Sequence, residues 1–173
     1  CKPEGIYGKT KLSATNFLIM KYKKKKFPVS IIRFYQLFGP HQDFNRFIPQ
    51  LIKASITKSN FFTSSGEQYR DFLYIDDAIS AIFKILASKK SAGKIFNIAF
   101  GKAYKLKKIM EMIKNQNNFL NPIFGKIEFR KDERAEVFPS IYKAYKYLKW
   151  KPTTSLKIGL KKTNAFYKNI LLN

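Results

Sequence analysis

The chain has almost none of the residues that build covalent staples or metal cages. One cysteine, Cys1, excludes an internal disulfide, and with His41 as the single histidine a multi-ligand zinc site is implausible, so no metal is expected. Long apolar runs are missing too: nothing approaches the ~18 consecutive apolar residues of a membrane-crossing helix, and no membrane partner is expected. Arginine is scarce: the 34 basic residues comprise 29 lysines and five arginines, against 11 acidic residues and a net charge of +23. Phosphate and base recognition favours arginine over lysine. A dedicated nucleic-acid surface is therefore not expected, although the charge and the aromatic content keep a basic nucleic-acid-binding module as an alternative, one that would show steeply salt-dependent affinity for unrelated DNA or RNA. The lysines are spread along the whole chain. Their one dense run, Lys23 to Lys26, fits a charged helix C-terminus that stops near Pro28. With abundant Ile, Phe, Asn and Tyr, this composition matches drift in an AT-rich genome.

What is present is an alternation of helical and extended signatures. The pattern predicts helices over residues 7–25, 47–57, 75–88, 106–115, 141–148 and 155–171, and strands over 29–34, 94–99 and 125–130. A short extended piece at 60–63 precedes the turn Ser64-Ser65-Gly66, and 115–122 is the most loop-like stretch. Strands alternating with long helices indicate an α/β layered fold. At 173 residues the chain can bury a real core. It begins at Cys1 and enters helix-like sequence almost at once, so a piece of a longer protein is expected. No signal peptide is visible, and a cytoplasmic protein is expected.

Three stations carry candidate chemistry. Tyr7 and Lys11 stand four residues apart at the start of the first helix, so phenol and ammonium share one face. A nearby cation favours phenolate, which makes a tyrosine usable as an acid/base near neutral pH. Next, Arg33-Phe34-Tyr35-Gln36-Leu37-Phe38-Gly39-Pro40 leaves the strand at 29–34, and ligands in open α/β sheets collect beyond such carboxyl ends. Gln36 can donate to a ligand there while Phe34 and Tyr35 flank a planar ring; a plain strand end with core aromatics is the alternative. Third, Arg70 stands just before a short apolar strand, where its donor fork suits a diphosphate. An ion pair with Asp71 or Asp76 is the structural alternative, and Asp76 and Asp77 read most simply as helix N-terminal residues. A charged turn from Arg130 to Val137, a short helix, and Trp150-Lys151-Pro152 follow, with Trp150 read as a packing anchor.

Taken in order, Tyr7-Gly8-x-x-Lys11, Arg33-x-x-Gln36-x-x-Gly39-Pro40, Arg70-Asp71-Phe72-x-Tyr74-Ile75-Asp76-Asp77, Phe96-Asn97-Ile98 and Leu148-x-Trp150-x-Pro152 resemble the C-terminal half of an extended short-chain dehydrogenase/reductase. The subgroup is the NAD-dependent epimerase/dehydratase family acting on nucleotide sugars. The resemblance implies the C-terminal part of a Rossmann-like NAD(P)-binding fold, residues 1–40, plus a small α/β substrate-binding region, residues 41–173, with return strands and helices to the sheet. It implies Tyr7 as catalytic acid/base and Lys11 as ligand of the nicotinamide ribose that lowers the pKa of Tyr7. Phe34, Tyr35 and Gln36 would lie by the nicotinamide and sugar, and Phe47, Ile48, Pro49, Phe62 and Arg70 would line the nucleotide-diphosphate pocket. A second diphosphate arginine would be Arg134 or Arg130. NAD is the implied cofactor, with NADP the alternative, a nucleotide-diphosphate sugar the substrate and a homodimer the possible assembly. Two positions depart from the pattern: Gln36 replaces a common Asn, and Lys149 a common Gly. No Gly-x-x-Gly-x-x-Gly loop occurs in the 173 residues. A non-catalytic nucleotide-binding relative is the remaining alternative.

Overall fold

The computed structural model describes residue 3 and residues 5–128 and 139–172. In chain order the elements are α1 Gly5–Lys25, β1 Ile31–Phe34, β2 Gln36–Phe38, α2 Phe47–Ile56, β3 Asn60–Phe62, β4 Tyr69–Tyr74 and α3 Ile75–Ala87, then β5 Ile95–Ile98, β6 Ala103–Lys105, α4 Leu106–Asn117, β7 Asn121–Ile123, α5 Tyr142–Leu148 and α6 Leu156–Leu172. The expected α/β alternation is present, with helix ends within two residues of the sequence pattern.

Strand pairing is mostly parallel. β1 runs beside β5, with Ile31 opposite Ile95 and Phe34 opposite Ile98. β2 runs beside β4, with Gln36 opposite Phe72 and Phe38 opposite Tyr74. Only Tyr35 separates β1 from β2, so the chain changes partner strand at that residue. β6 pairs antiparallel with β4, and β3 pairs in parallel with β7.

β4 is the central element. From Arg70 to Tyr74 every residue is buried, and successive side chains point to opposite faces. Phe72 and Tyr74 enter one core, with Phe38 from β2 and residues of α2, α4 and α6; Leu73 enters the other, with Phe96, Ile98, Ala81 and Trp150. α6 approaches the first core closely at Gly159, where a Cβ would stand 2.7 Å from the Phe38 ring. α1 contributes no buried residue to either core.

A buried carboxylate joins two distant motifs. Asp77 in the first turn of α3 accepts from the Thr153 amide at 3.0 Å, the Thr153 hydroxyl at 2.9 Å and the Thr154 amide at 2.9 Å. The Trp150 indole N–H donates beside it, to Ser80 Oγ at 2.9 Å and to the Asp77 carbonyl at 3.2 Å. Asp77 is thus more than a helix N-terminal charge: it fastens the loop that leads into α6.

Two sequence expectations need correction. Residues 125–128 of the strand expected at 125–130 form a turn, and a strand lies instead at Asn121–Ile123, overlapping the end of the stretch read as loop. Gly125 has φ +74°, and the amides of Lys126 and Ile127 both donate to the Thr63 carbonyl, which folds the chain over β3 instead of extending it. Pro122 is accommodated because, among the described residues, β7 pairs with β3 alone. Residues 129 and 130 lie outside the described residues. Arg70 sits inside β4, not ahead of it.

Replacing Asp77 by Ala leaves two loop amides and a hydroxyl without their acceptor, at a cost of about 3 kcal/mol for a buried charge-assisted cluster. Denaturant unfolding should show a large loss for Asp77→Ala and a smaller one for Asp77→Asn, which keeps one acceptor oxygen. Equal stability of Asp77→Ala and the parent chain would contradict this role.

Candidate active site

Two cavities meet where β1 hands over to β2. The larger, about 460 Å³, is lined by Phe34, Tyr35, Leu37, Gln42, Asp43, Arg46 and Ile48 together with Gln36, Phe47 and Phe72. The other, about 300 Å³, shares Gln36, Phe47 and Phe72 and continues past Phe61, Phe62 and Thr63 to Ser64, Gln68 and Arg70. The cleft therefore opens at a point where neighbouring strands part, the usual place for a ligand in an open α/β sheet.

The period of β4 sorts its residues between site and scaffold. Arg70 and Phe72 share one face and line the smaller cavity, while Asp71 points the other way. Arg70 is 8% exposed, and its Nη1 donates to the Tyr69 carbonyl at 2.7 Å. Asp71 receives the Phe100 and Gly101 amides, each at 2.7 Å. Gly101 makes this turn with φ +85°. Burial pushes the Asp71 carboxyl above its ordinary value, and the amides of Phe100, Gly101 and Lys102 pull back against it. Asp76 lies 3.8 Å from Lys162.

At the strand handover, burial raises the Tyr35 phenol above its usual range, with Arg33 opposing and Asp71 adding to the rise. Tyr35 is therefore a protonated group at neutral pH, fit to donate a hydrogen bond and not to act as a base. Phe34 is 40% exposed and lines the larger cavity, and Gln36 lines both cavities. Phe62 is exposed at the mouth of the smaller one; Ile48 lines the larger; Pro49 is buried behind them in α2. Tyr7 and Lys11 form a pair, with Lys11 Nζ 5.5 Å from the centre of the Tyr7 ring, and Tyr7 is 78% exposed. They line neither cavity. Arg130 and Arg134 lie outside the described residues. Among the described residues no cluster of His, Cys, Asp or Glu could hold a metal ion, and no helix is long and apolar enough to cross a membrane.

Several lining residues were not singled out in the sequence: Arg46, Asp43, Ser64 and Gln68. Gln68 stands two residues before the Arg70 motif, and nothing local marks its side chain. Beside it, Glu67 bridges Lys105 at 2.9 Å and Lys107 at 2.5 Å, tying the loop at the cavity to the start of α4.

Residues 1–99 match the NAD dependent epimerase/dehydratase family. The chain belongs to that family. It is 27% identical over 175 residues to an uncharacterized UDP-glucose epimerase of Bacillus subtilis, covering 97% of this chain and 53% of that protein. It is 29% identical over 176 residues to the human dTDP-D-glucose 4,6-dehydratase, covering 96% and 49%. Among solved structures, the UDP-glucuronic acid 4-epimerase of Bacillus cereus, in complex with UDP-glucuronic acid and NAD, superposes with a TM-score of 0.86 at 28% identity, covering 95% of this chain and 52% of that one. The chain spans about half the length of these relatives and shares the Rossmann-like fold of the solved structure.

The two lysine bonds hold the Glu67 carboxyl down to about 2, from an ordinary value of 4.5. The unfolded chain takes up this proton first as pH falls. The contribution of the bridge is therefore whole above about pH 4.5 and fades towards pH 2. Unfolding midpoints of the parent and Glu67→Gln should differ at neutral pH and converge across that window, with the gap also narrowing in high salt. A gap that does not change with pH would contradict the bridge.

Proposed function

We propose that the whole protein is an NAD-dependent nucleotide-sugar epimerase or dehydratase, with epimerase taken as the default. The observation that carries this is the joined pair of cavities at the strand handover, with Arg70 in one and Phe34, Tyr35 and Gln36 in the other, in a chain of this family. A nucleotide-diphosphate sugar fits such a cleft by its chemistry: the bidentate fork of Arg70 suits the diphosphate, the apolar walls at Phe47 and Phe62 suit the nucleoside, and the Gln36 amide suits sugar hydroxyls. Ile48 and Pro49 back that wall from α2. Arg134 is the second diphosphate arginine in this reading, with Arg130 the alternative.

Tyr7 is the acid/base, moving a proton at the oxygen of the sugar carbon that reacts, and its exposed phenol is open to a ligand. Lys11 beside it binds the ribose next to the nicotinamide. Phe34 and Tyr35 flank the nicotinamide and the sugar. A nicotinamide cofactor, when bound, supplies the acceptor and donor of hydride. The residues present fit its nicotinamide end, with flat rings and a cation on offer. NAD is taken as the cofactor, with NADP the alternative; the NAD-dependent description of the family supports that choice. The fixed cleft holds the diphosphate as an anchor and thereby orients the reacting carbon. A homodimer through α1 belongs to the same reading.

Three outcomes test it. Arg70→Ala should weaken UDP binding by about 10- to 100-fold, the worth of a charge-assisted pair, in calorimetric titrations of the 173-residue chain. In the whole protein Tyr7→Phe should remove most turnover of nucleotide sugars while leaving UDP affinity in place; retained turnover removes Tyr7 from the mechanism. The 173-residue chain by itself should show little NAD affinity and no turnover, and robust catalysis by it would overturn the division of labour proposed.

A further inference from the structure

We infer that Gln68 reads the base of the nucleotide, its side-chain carbonyl accepting the ring N3–H of a uracil or thymine. This rests on the nucleotide-sugar reading above. Gln68 is 6% exposed and lines the Arg70 cavity. Its Nε2 donates to Ser64 Oγ at 2.7 Å, while its Oε1 is buried with no hydrogen-bond partner among the described residues. Buried acceptors are rarely left this way, because the lost hydration is not recovered, and each exception calls for a missing partner.

The surrounding backbone does not let the residue escape that cost. The Gln68 carbonyl accepts the Leu106 amide at 3.0 Å, and the Gly66 carbonyl accepts the Lys107 amide at 3.0 Å. Glu67 between them is held by Lys105 and Lys107. Across the cavity, Thr63 donates its amide to the Ile123 carbonyl at 3.0 Å. The shelf is pinned on both sides, so the Gln68 backbone stays where it is and only its terminal amide torsion is free to turn.

What the amide faces limits the ligand. Phe47, Phe61, Phe62 and Leu106 supply apolar walls on which a flat ring can lie. A carbonyl oxygen repels phosphate oxygens, so the diphosphate belongs with Arg70 and the base with Gln68. Ser64 Oγ accepts from Gln68 and keeps its own proton for donation, which sets a donor beside an acceptor. Uracil and thymine answer with N3–H next to a carbonyl. Cytosine in the same pose turns the lone pair of its N3 against Gln68 Oε1. The half-turn freedom of a terminal amide torsion lets Oε1 swing to the incoming ring.

The test uses UDP, CDP and N3-methyl-UDP on the 173-residue chain, followed by calorimetry, with the parent chain, Gln68→Leu and Arg70→Ala. The parent should bind UDP about tenfold more tightly than either other probe, the usual worth of one buried hydrogen bond. Gln68→Leu should lose about tenfold for UDP and leave N3-methyl-UDP unchanged. Equal affinity of the parent for UDP and N3-methyl-UDP overturns the inference, and that comparison needs no variant to fold. If UDP binds and Arg70→Ala weakens it while the bases are not distinguished, the inference fails alone. If the parent binds no UDP, the nucleotide reading fails and takes the inference with it.

Discussion

The structure turns on the change of partner at Tyr35. A strand edge can satisfy its amides and carbonyls against only one neighbour at a time. After four residues beside β5 the chain gives up that neighbour and takes up β4 one residue later. Two hydrogen-bonded ladders cannot be continuous through this point, so a crevice opens there. Phe34, Tyr35 and Gln36 line it because they are the residues of the handover. Arg70 joins them because it lies two residues before Phe72, the partner of Gln36, on the same face of β4. The site is a consequence of strand pairing, and its side chains were placed by register.

The opposite face of β4 and the first turn of α3 hold that register in place. Asp71 and Asp77 each gather backbone amides from a distant loop, at residues 100–101 and 153–154. Both are acids in a chain with 34 basic residues and 11 acidic ones. Part of the scarce negative charge thus goes to organising loops, and most lysines remain at the surface. Many of these lay their ammonium over an aromatic ring one helical turn away, as Lys21 does over Phe17, Lys26 over Tyr22 and Lys149 over Tyr145. The charge is a dispersed surface property with local partners, and it marks no cleft by itself.

Much of the fold was legible in the sequence because the helices are long and periodic. The handover was not, because β1 and β2 are continuous in apolar pattern and differ only in which strand they meet. β6, three residues long, carries no period to read, and the misplaced strand at 125–130 failed on a turn that depends on the Thr63 carbonyl. Tyr7, Lys11, Gln36 and Arg70 all stood in recognisable motifs, and of these Gln36 and Arg70 line the cleft. Gln68 stood two residues ahead of the Arg70 motif, but an unpaired amide oxygen is a three-dimensional fact. Asp77 looked like a helix N-terminal charge because its true partners lie more than seventy residues away and leave no trace in local spacing.

The central claim is that ligand binding belongs to the cleft at the strand handover and not to the basic surface. Hydrogen–deuterium exchange on the chain with and without UDP at physiological salt addresses it directly. Slowed exchange should concentrate at Gln36, Phe47 and Ile48 and along Phe62 to Arg70, with α1 unchanged. Protection centred on Lys23 to Lys26, or spread evenly over the lysine-rich helices, would contradict it.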